Sequence, residues 1–359
     1  MLQPLDRAWM EVDLGALIRN TNALRAHSGV PVIPMIKADA YGLGAEQVAH
    51  ALETIDPWGY GVATIVEGQQ LRASGIIRPI LVFTPLLPDE LRSAHDARLT
   101  PTLGCADEIK AWVELGGPYH LSIDTGMARA GLPWREVATV ASLVAGHPPQ
   151  GAFTHFHSPS LNDGTMLTQQ ARFRDAIEAL PAKPQLLHAE SSAAIVRADR
   201  SMWDAVRPGI FMYGVGSGPG ARLEPSPVVH VRARIAELRY VEAGDTVSYD
   251  ATWTAESRRL IATIPLGYAD GYPRALSSIG TGIVRNQVAT IAGRVTMDMI
   301  MLDVTDTGAE VGDVVTMIGS APDCTERLDV GIVADRARMS PYELLTGLRG
   351  RLRRIYRGQ

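Results

Sequence analysis

Lys37 ends an apolar run. In Val32-Ile33-Pro34-Met35-Ile36-Lys37-Ala38-Asp39-Ala40-Tyr41-Gly42-Leu43-Gly44, a stretch with the texture of a buried strand gives way to a turn of small residues. A lysine at the lip of a buried strand loses part of its hydration, which lowers its pKa and favours the free amine. A free amine condenses with an aldehyde, the chemistry by which enzymes carry pyridoxal phosphate. The plain alternative is a lysine that ends a strand and reaches water along its own stem. Asp124, His155, Ser191 and Arg207 also stand at or just after the C-terminal end of strand-like runs. His155 and His157, two apart, could share a metal. No cysteine or third histidine is placed to complete such a set, so no metal is expected. His188 reads as a satisfied core or strand-end histidine.

The elements that must position these residues recur with a beat. Short apolar runs lie at 32–36, 59–63, 79–83, 99–103, 119–123, 150–155, 184–188 and 204–207. Stretches of helical spacing separate them, among them 13–27, 66–74, 105–115, 134–145 and 165–180. Strands alternating with helices imply a parallel sheet with right-handed crossovers, and eight such strands close a (β/α)8 barrel. The strand ends of a barrel converge on one mouth, where active sites are built, so Lys37, Asp124, His155, Ser191 and Arg207 are expected to meet. After about residue 225 the texture turns β-rich, with runs at 228–235, 260–264, 282–284, 288–292, 299–304 and 314–318, and a final helix near 330–339. The expected fold is therefore α/β: a barrel over 9–224, then a mostly β domain over 225–359 with which residues 1–8 pack.

Bulk properties narrow the partners. The chain has 359 residues, 46% of them hydrophobic, which suits two ordinary globular cores. A net charge of -5 gives no reason to expect nucleic acid. No apolar run approaches the roughly 18 residues of a membrane span, and the start of the chain lacks the pattern of a signal peptide. Cys105 and Cys324 lie far apart without metal-type spacing, which favours a reduced, cytoplasmic setting.

The ordered motifs carry a resemblance. They are Lys37-Ala38-Asp39-Ala40-Tyr41-Gly42, Asp124-Thr125-Gly126-Met127-Ala128-Arg129-Ala130-Gly131 and Thr154-His155-Phe156, then Arg207-Pro208-Gly209-Ile210-Phe211-Met212-Tyr213-Gly214. Val247-Ser248-Tyr249, Gly267-Tyr268-Ala269-Asp270-Gly271 and Gly293-Arg294-Val295-Thr296-Met297-Asp298 follow. From Trp9 to Tyr356 the chain resembles the alanine racemase family of pyridoxal-phosphate enzymes. The resemblance implies a homodimer in which the β domain of one subunit completes the barrel mouth of the other. It implies a small amino-acid substrate and two bases on opposite faces, Lys37 and Tyr249, with His155 and Arg207 supporting Tyr249. Arg207 would face the pyridine nitrogen of the cofactor. Tyr41, Ser192, Gly209, Ile210 and Tyr356 would hold the phosphate. Arg129 would hold the phenolic oxygen or the substrate carboxylate, and Tyr268, Met297 and Asp298 would complete the substrate side. D-alanine for peptidoglycan would be the product.

The chain departs from the family's pattern at four places. Ser122 stands where many relatives carry a lysine that is often carbamylated, Ser191 where asparagine is usual, Asp250 where glycine is common, and Thr296 in place of a frequent cysteine. These changes leave Lys37, Tyr249, Arg207 and His155 intact but alter the shell that sizes the substrate. A racemase of serine or of a broader range of amino acids is the first rival reading. A barrel decarboxylase would need an acidic partner where Arg207 stands. A non-catalytic pyridoxal-phosphate protein would leave the second domain unexplained.

Overall fold

The protein is described here by a computed structural model covering residues 7–321 and 324–358. Seven strands run parallel in the order Tyr60–Val62, Ile80–Val82, Thr100–Leu103, His120–Asp124, Gly151–Phe153, Leu186–Ser191 and Ala205–Arg207. The first apolar run closes the ring without becoming a regular strand. Ile33 N–H donates to the Val206 carbonyl (2.8 Å) and Ile36 N–H to the Gly61 carbonyl (2.9 Å), so 31–36 is bonded on both sides. Pro31 and Pro34 lack the N–H groups that would complete a ladder, which is why only isolated bridges form there.

The second domain is a twisted, mainly antiparallel sheet that includes Val229–Arg234, Arg259–Ile264, Thr281–Val284, Gln287–Ile291, Ile300–Asp303 and Val314–Ser320. Strand Ala8–Asp13 belongs to it, antiparallel to Val229–Arg234 and parallel to Arg353–Arg357. Residues 9–13, expected with the barrel, thus lie in the other sheet. A lone strand goes where its unpaired edges find partners, and here both lie more than 200 residues away. Buried Glu11 locks the seam, with its Oε1 2.9 Å from Arg357 Nη2 and 3.2 Å from Arg232 Nε. Of residues 1–8, only Arg7 and Ala8 fall among those described, and both pair with this sheet. The barrel proper begins at helix Leu14–Ser28, whose first turn is capped by the Asp13 carboxylate (2.7 Å to Ala16 N).

Helix Val330–Arg336 stands where a final helix was expected. A further helix, Pro341–Gly347, and strand Arg353–Arg357 then return the chain to the barrel mouth. Among the described residues no helix is long and apolar enough to cross a membrane. Cys105 and Cys324 are both free thiols.

Candidate active site

Lys37 opens a short left-handed turn. Ala38, Asp39, Ala40 and Tyr41 have φ of 53°, 55°, 53° and 58°, followed by Gly42 at 88° and Gly44 at 99°. Each non-glycine residue there costs roughly 1–2 kcal/mol, so the turn exists because its surroundings hold it. Glu67 caps its own helix, accepting from Ala63 N (2.7 Å), and spends its other oxygen on Ala38 N (2.7 Å). Asp39 accepts from Ala45 N (2.8 Å) and pairs with Arg354 of the last strand (2.7 Å). Tyr356 donates to the Leu43 carbonyl (2.9 Å). The second domain therefore braces the turn from behind. Burial lowers the pKa of Lys37, the cations Arg129 and Arg207 lower it further, and Glu67 opposes them.

Arg207 is 4% exposed and engaged through both terminal nitrogens. It donates to the carbonyls of Thr154 (2.8 Å) and Ala189 (3.1 Å), to His188 Nδ1 (2.7 Å) and to His155 Nδ1 (3.3 Å). Burial pulls its pKa down to about 9 against the raising field of Glu190, which leaves it protonated at neutral pH. His155 is pushed down to about 3 by burial and by the charges of Arg207, Arg129 and Lys37, so its ring is neutral. Since Arg207 can only donate, the His155 proton sits on Nε2. Gln169 fixes the segment after that strand. It donates to the His155 carbonyl (3.1 Å) and accepts from His157 N (3.0 Å). Asp124 spends one oxygen on Gly126 N and Met127 N (both 2.9 Å) and both oxygens on Ala128 N (3.1 Å). It shapes the loop that presents Arg129 and also reaches the cavity at the barrel mouth.

A cavity of about 610 Å³ opens at the barrel mouth. Lys37, Arg129, His155 and Arg207 line one part of it, and Tyr41, Ser192, Gly209 and Ile210 another. Ser122 and Ser191 also reach it. At the Ser192 end the Oγ accepts from Gly209 N (2.9 Å) and Phe211 N (3.4 Å), so the Gly209 N–H expected for the phosphate already has an acceptor. Among the described residues no acceptor takes the Ile210 N–H. A side chain at Gly209 would bring its Cβ within 2.6 Å of the Tyr41 hydroxyl, so only a bare backbone fits against that ring.

Tyr356 requires a correction. Its hydroxyl is spent on Leu43, and its strand runs beside Ala8–Asp13, one layer behind the cavity. The aromatic that does line the cavity is Tyr342, carried by helix Pro341–Gly347, with its ring centroid 5.9 Å from that of Tyr41. Tyr249, Tyr268, Met297 and Asp298 do not line the cavity of their own chain. Tyr249 is 70% exposed and Met297 52%. Asp298 is held by Arg351 (2.7 Å), which also grips Asp270 (2.9 Å). Among the described residues no cluster of three or more His, Cys, Asp or Glu side chains could hold a metal ion.

Comparison with known proteins places this arrangement. Residues 12–217 match the alanine racemase N-terminal domain and residues 228–356 the alanine racemase C-terminal domain. An alanine racemase of Citrifermentans bemidjiense is 37% identical, with 97% of this chain and 98% of that protein covered. The crystal structure of alanine racemase from Bartonella henselae, with covalently bound pyridoxal phosphate, superposes with a TM-score of 0.88 at 28% identity, covering 98% of this chain and 99% of that one. A histidine racemase from Leuconostoc mesenteroides subsp. sake superposes with a TM-score of 0.89 at 26% identity, covering 99% of each. The barrel, the β domain and the cavity residues thus stand in the frame of the alanine racemase family, the pyridoxal-phosphate-dependent isomerases of amino acids to which this chain belongs.

Proposed function

We propose that the chain binds pyridoxal phosphate at Lys37 and racemises alanine with two bases, Lys37 on one face and Tyr249 of the partner subunit on the other. One observation carries the reading: an amine of lowered pKa and a buried, donor-only arginine open onto one cavity. The residues present fit the cofactor. Lys37 supplies the amine, the Ile210 N–H and the Ser192 and Tyr41 hydroxyls suit a phosphate, and the bare Gly209 backbone lets it come close. Pyridoxal phosphate, when bound, draws electron density from the α-carbon and loosens its proton.

The rest is the work of this chain. Lys37, neutral at a lower pH than a solvated lysine, takes or returns the proton on its own face. Tyr249 does so on the other face, and the His155 Nε2–H gives its phenolic oxygen a donor. Arg207 would donate to the ring nitrogen of the bound cofactor without protonating it, which would limit electron withdrawal and favour return of the proton to the α-carbon. Arg129 has no ion pair among the described residues and faces the same cavity, so it is placed to hold the carboxylate of an amino acid. Tyr268, Met297 and Asp298 would close the substrate side from the partner subunit. D-alanine made in the cytoplasm for peptidoglycan is the fitting product.

A specific observation favours a broader substrate range as the second reading. Ser122 and Ser191 both line the cavity with short side chains, and the same fold serves a histidine racemase. Proton NMR of the loaded protein with L-alanine in D2O, followed by chiral analysis, tests the first reading. Loss of the α-proton signal together with D-alanine formation is the expected result. Exchange with serine or a larger amino acid but not with alanine transfers the assignment to the second reading.

A further inference from the structure

Behind Arg207 the barrel holds a second histidine. His120, at the start of strand His120–Asp124, has 0% exposure, and its Nδ1 lies 2.8 Å from His188 Nε2. His188 Nδ1 in turn lies 2.7 Å from Arg207 Nη1. The two rings are held rigidly. His188 stacks on Phe153 at 5.2 Å and 7°, and Trp58 covers His120 at 5.5 Å. The fold makes room for this pair, because a Cβ on Gly151 would fall 2.5 Å from the His120 ring.

The protons along the chain have one consistent arrangement. Arg207 can only donate, so His188 Nδ1 accepts and its proton sits on Nε2. That N–H meets His120 Nδ1, which must also accept, so the His120 proton sits on Nε2 as well. His120 Nε2 and Gln150 Oε1 are both buried with no hydrogen-bond partner among the described residues. Burial and the field of Arg207 keep both rings neutral. A proton on the wrong nitrogen of either ring would set N–H against N–H in a dry barrel, where unsatisfied polar groups cost most.

We propose that His120 is a positioning residue for the racemase reaction: through His188 it fixes the guanidinium of Arg207 from the far side of the two rings. The inference rests on the reading that Arg207 faces the cofactor ring. The row joins His120–Asp124 to Leu186–Ser191 across the intervening strand Gly151–Phe153, and Leu186–Ser191 to Ala205–Arg207, through side-chain polar atoms. Asparagine at 120 would keep an acceptor close to the position of Nδ1, whereas phenylalanine would keep the volume and remove it.

Neutron crystallography of the loaded protein in D2O reads the arrangement directly. Deuterium is expected on Nε2 alone in both His120 and His188. Deuterium on Nδ1 of either ring, or on both nitrogens of one, overturns the proposal. In kinetics, His120→Phe is expected to lower kcat about ten-fold with KM little changed, the scale of one lost buried hydrogen bond, and His120→Asn to recover most of it. A folded His120→Phe protein with unchanged kcat overturns the positioning role even if the neutron map holds. If Arg207→Lys also leaves kcat unchanged, the fault lies in the assignment of Arg207 itself, and the proposal falls with it while the deuterium positions stand.

Discussion

At the scale of single residues the chemistry turns on an amine in a cationic neighbourhood. Lys37 shares the chain with only two other lysines, Lys110 and Lys183. Burial, Arg129 and Arg207 all favour its neutral form, while Glu67 works the other way. The sign of the pH dependence follows. A lowered pKa means that Lys37 presents a free amine at a pH where a solvated lysine, with a pKa near ~10.4, is still almost wholly protonated. Incubation with pyridoxal phosphate, trapping with borohydride and peptide mapping should therefore label Lys37 first and nearly alone at neutral pH. Equal labelling of the three lysines at pH 7 would contradict the special environment of Lys37. His155 and Arg207 show the same principle reversed: they are useful because burial and mutual hydrogen bonding fix which atoms carry protons.

At the scale of elements the left-handed turn after Lys37 is the costliest local feature, and its glycines test what holds it. Gly42 has φ 88°, and a Cβ there would lie 2.7 Å from the Leu345 carbonyl oxygen of helix Pro341–Gly347. Gly75 has φ 94° with nothing near. Gly75→Ala should show the backbone cost alone, about 1 kcal/mol, whereas Gly42→Ala should add the clash and lose roughly 2–4 kcal/mol. Thermal unfolding of the two variants measures the difference, and equal losses would mean that the helix does not press on the turn. The same contrast explains what the sequence revealed. Apolar runs with helical spacing between them announced the barrel, and polar residues at the ends of those runs announced Lys37, His155 and Arg207. Position alone could not reveal that a cavity-lining group also shapes a loop, as Asp124 does. Glu67, Gln169 and Tyr342 carried no local signal, since their roles arise from contacts made across the fold. Tyr356 was placed wrongly for the same reason: a hydroxyl near the chain end suits a phosphate, but strand pairing turns it to Leu43. Residues 9–13 read as part of the barrel because the partners of strand Ala8–Asp13 lie more than 200 residues away.

At the scale of the whole molecule, Tyr249 stands outside the cavity of its own chain. The loop around Tyr249 is held by its own domain: Ser248 donates to the Arg294 carbonyl (2.9 Å), and Asp250 pairs with Arg294 (2.7 Å). Ser248 and Asp250 flank the tyrosine with φ of 70° and 60°, so the loop is constrained. Yet Tyr249 is 70% exposed in its own chain, and Tyr268, Met297 and Met299 stand exposed on the same domain. A second copy of the chain would cover these side chains and bring a Tyr249 to each Lys37 in a two-fold dimer, where each contact is made twice. Lys37→Ala and Tyr249→Phe homodimers should each be nearly inactive. In a mixed dimer the two lesions fall in one site and leave the other with both wild-type residues. A statistical mixture, half of it mixed dimers with one working site of two, should recover about a quarter of the wild-type rate. Were Tyr249 to serve the Lys37 of its own chain, every site in every mixture would carry one lesion, and mixing would restore nothing. Racemase assays before and after subunit exchange, with mixed dimers confirmed by mass, distinguish the two arrangements.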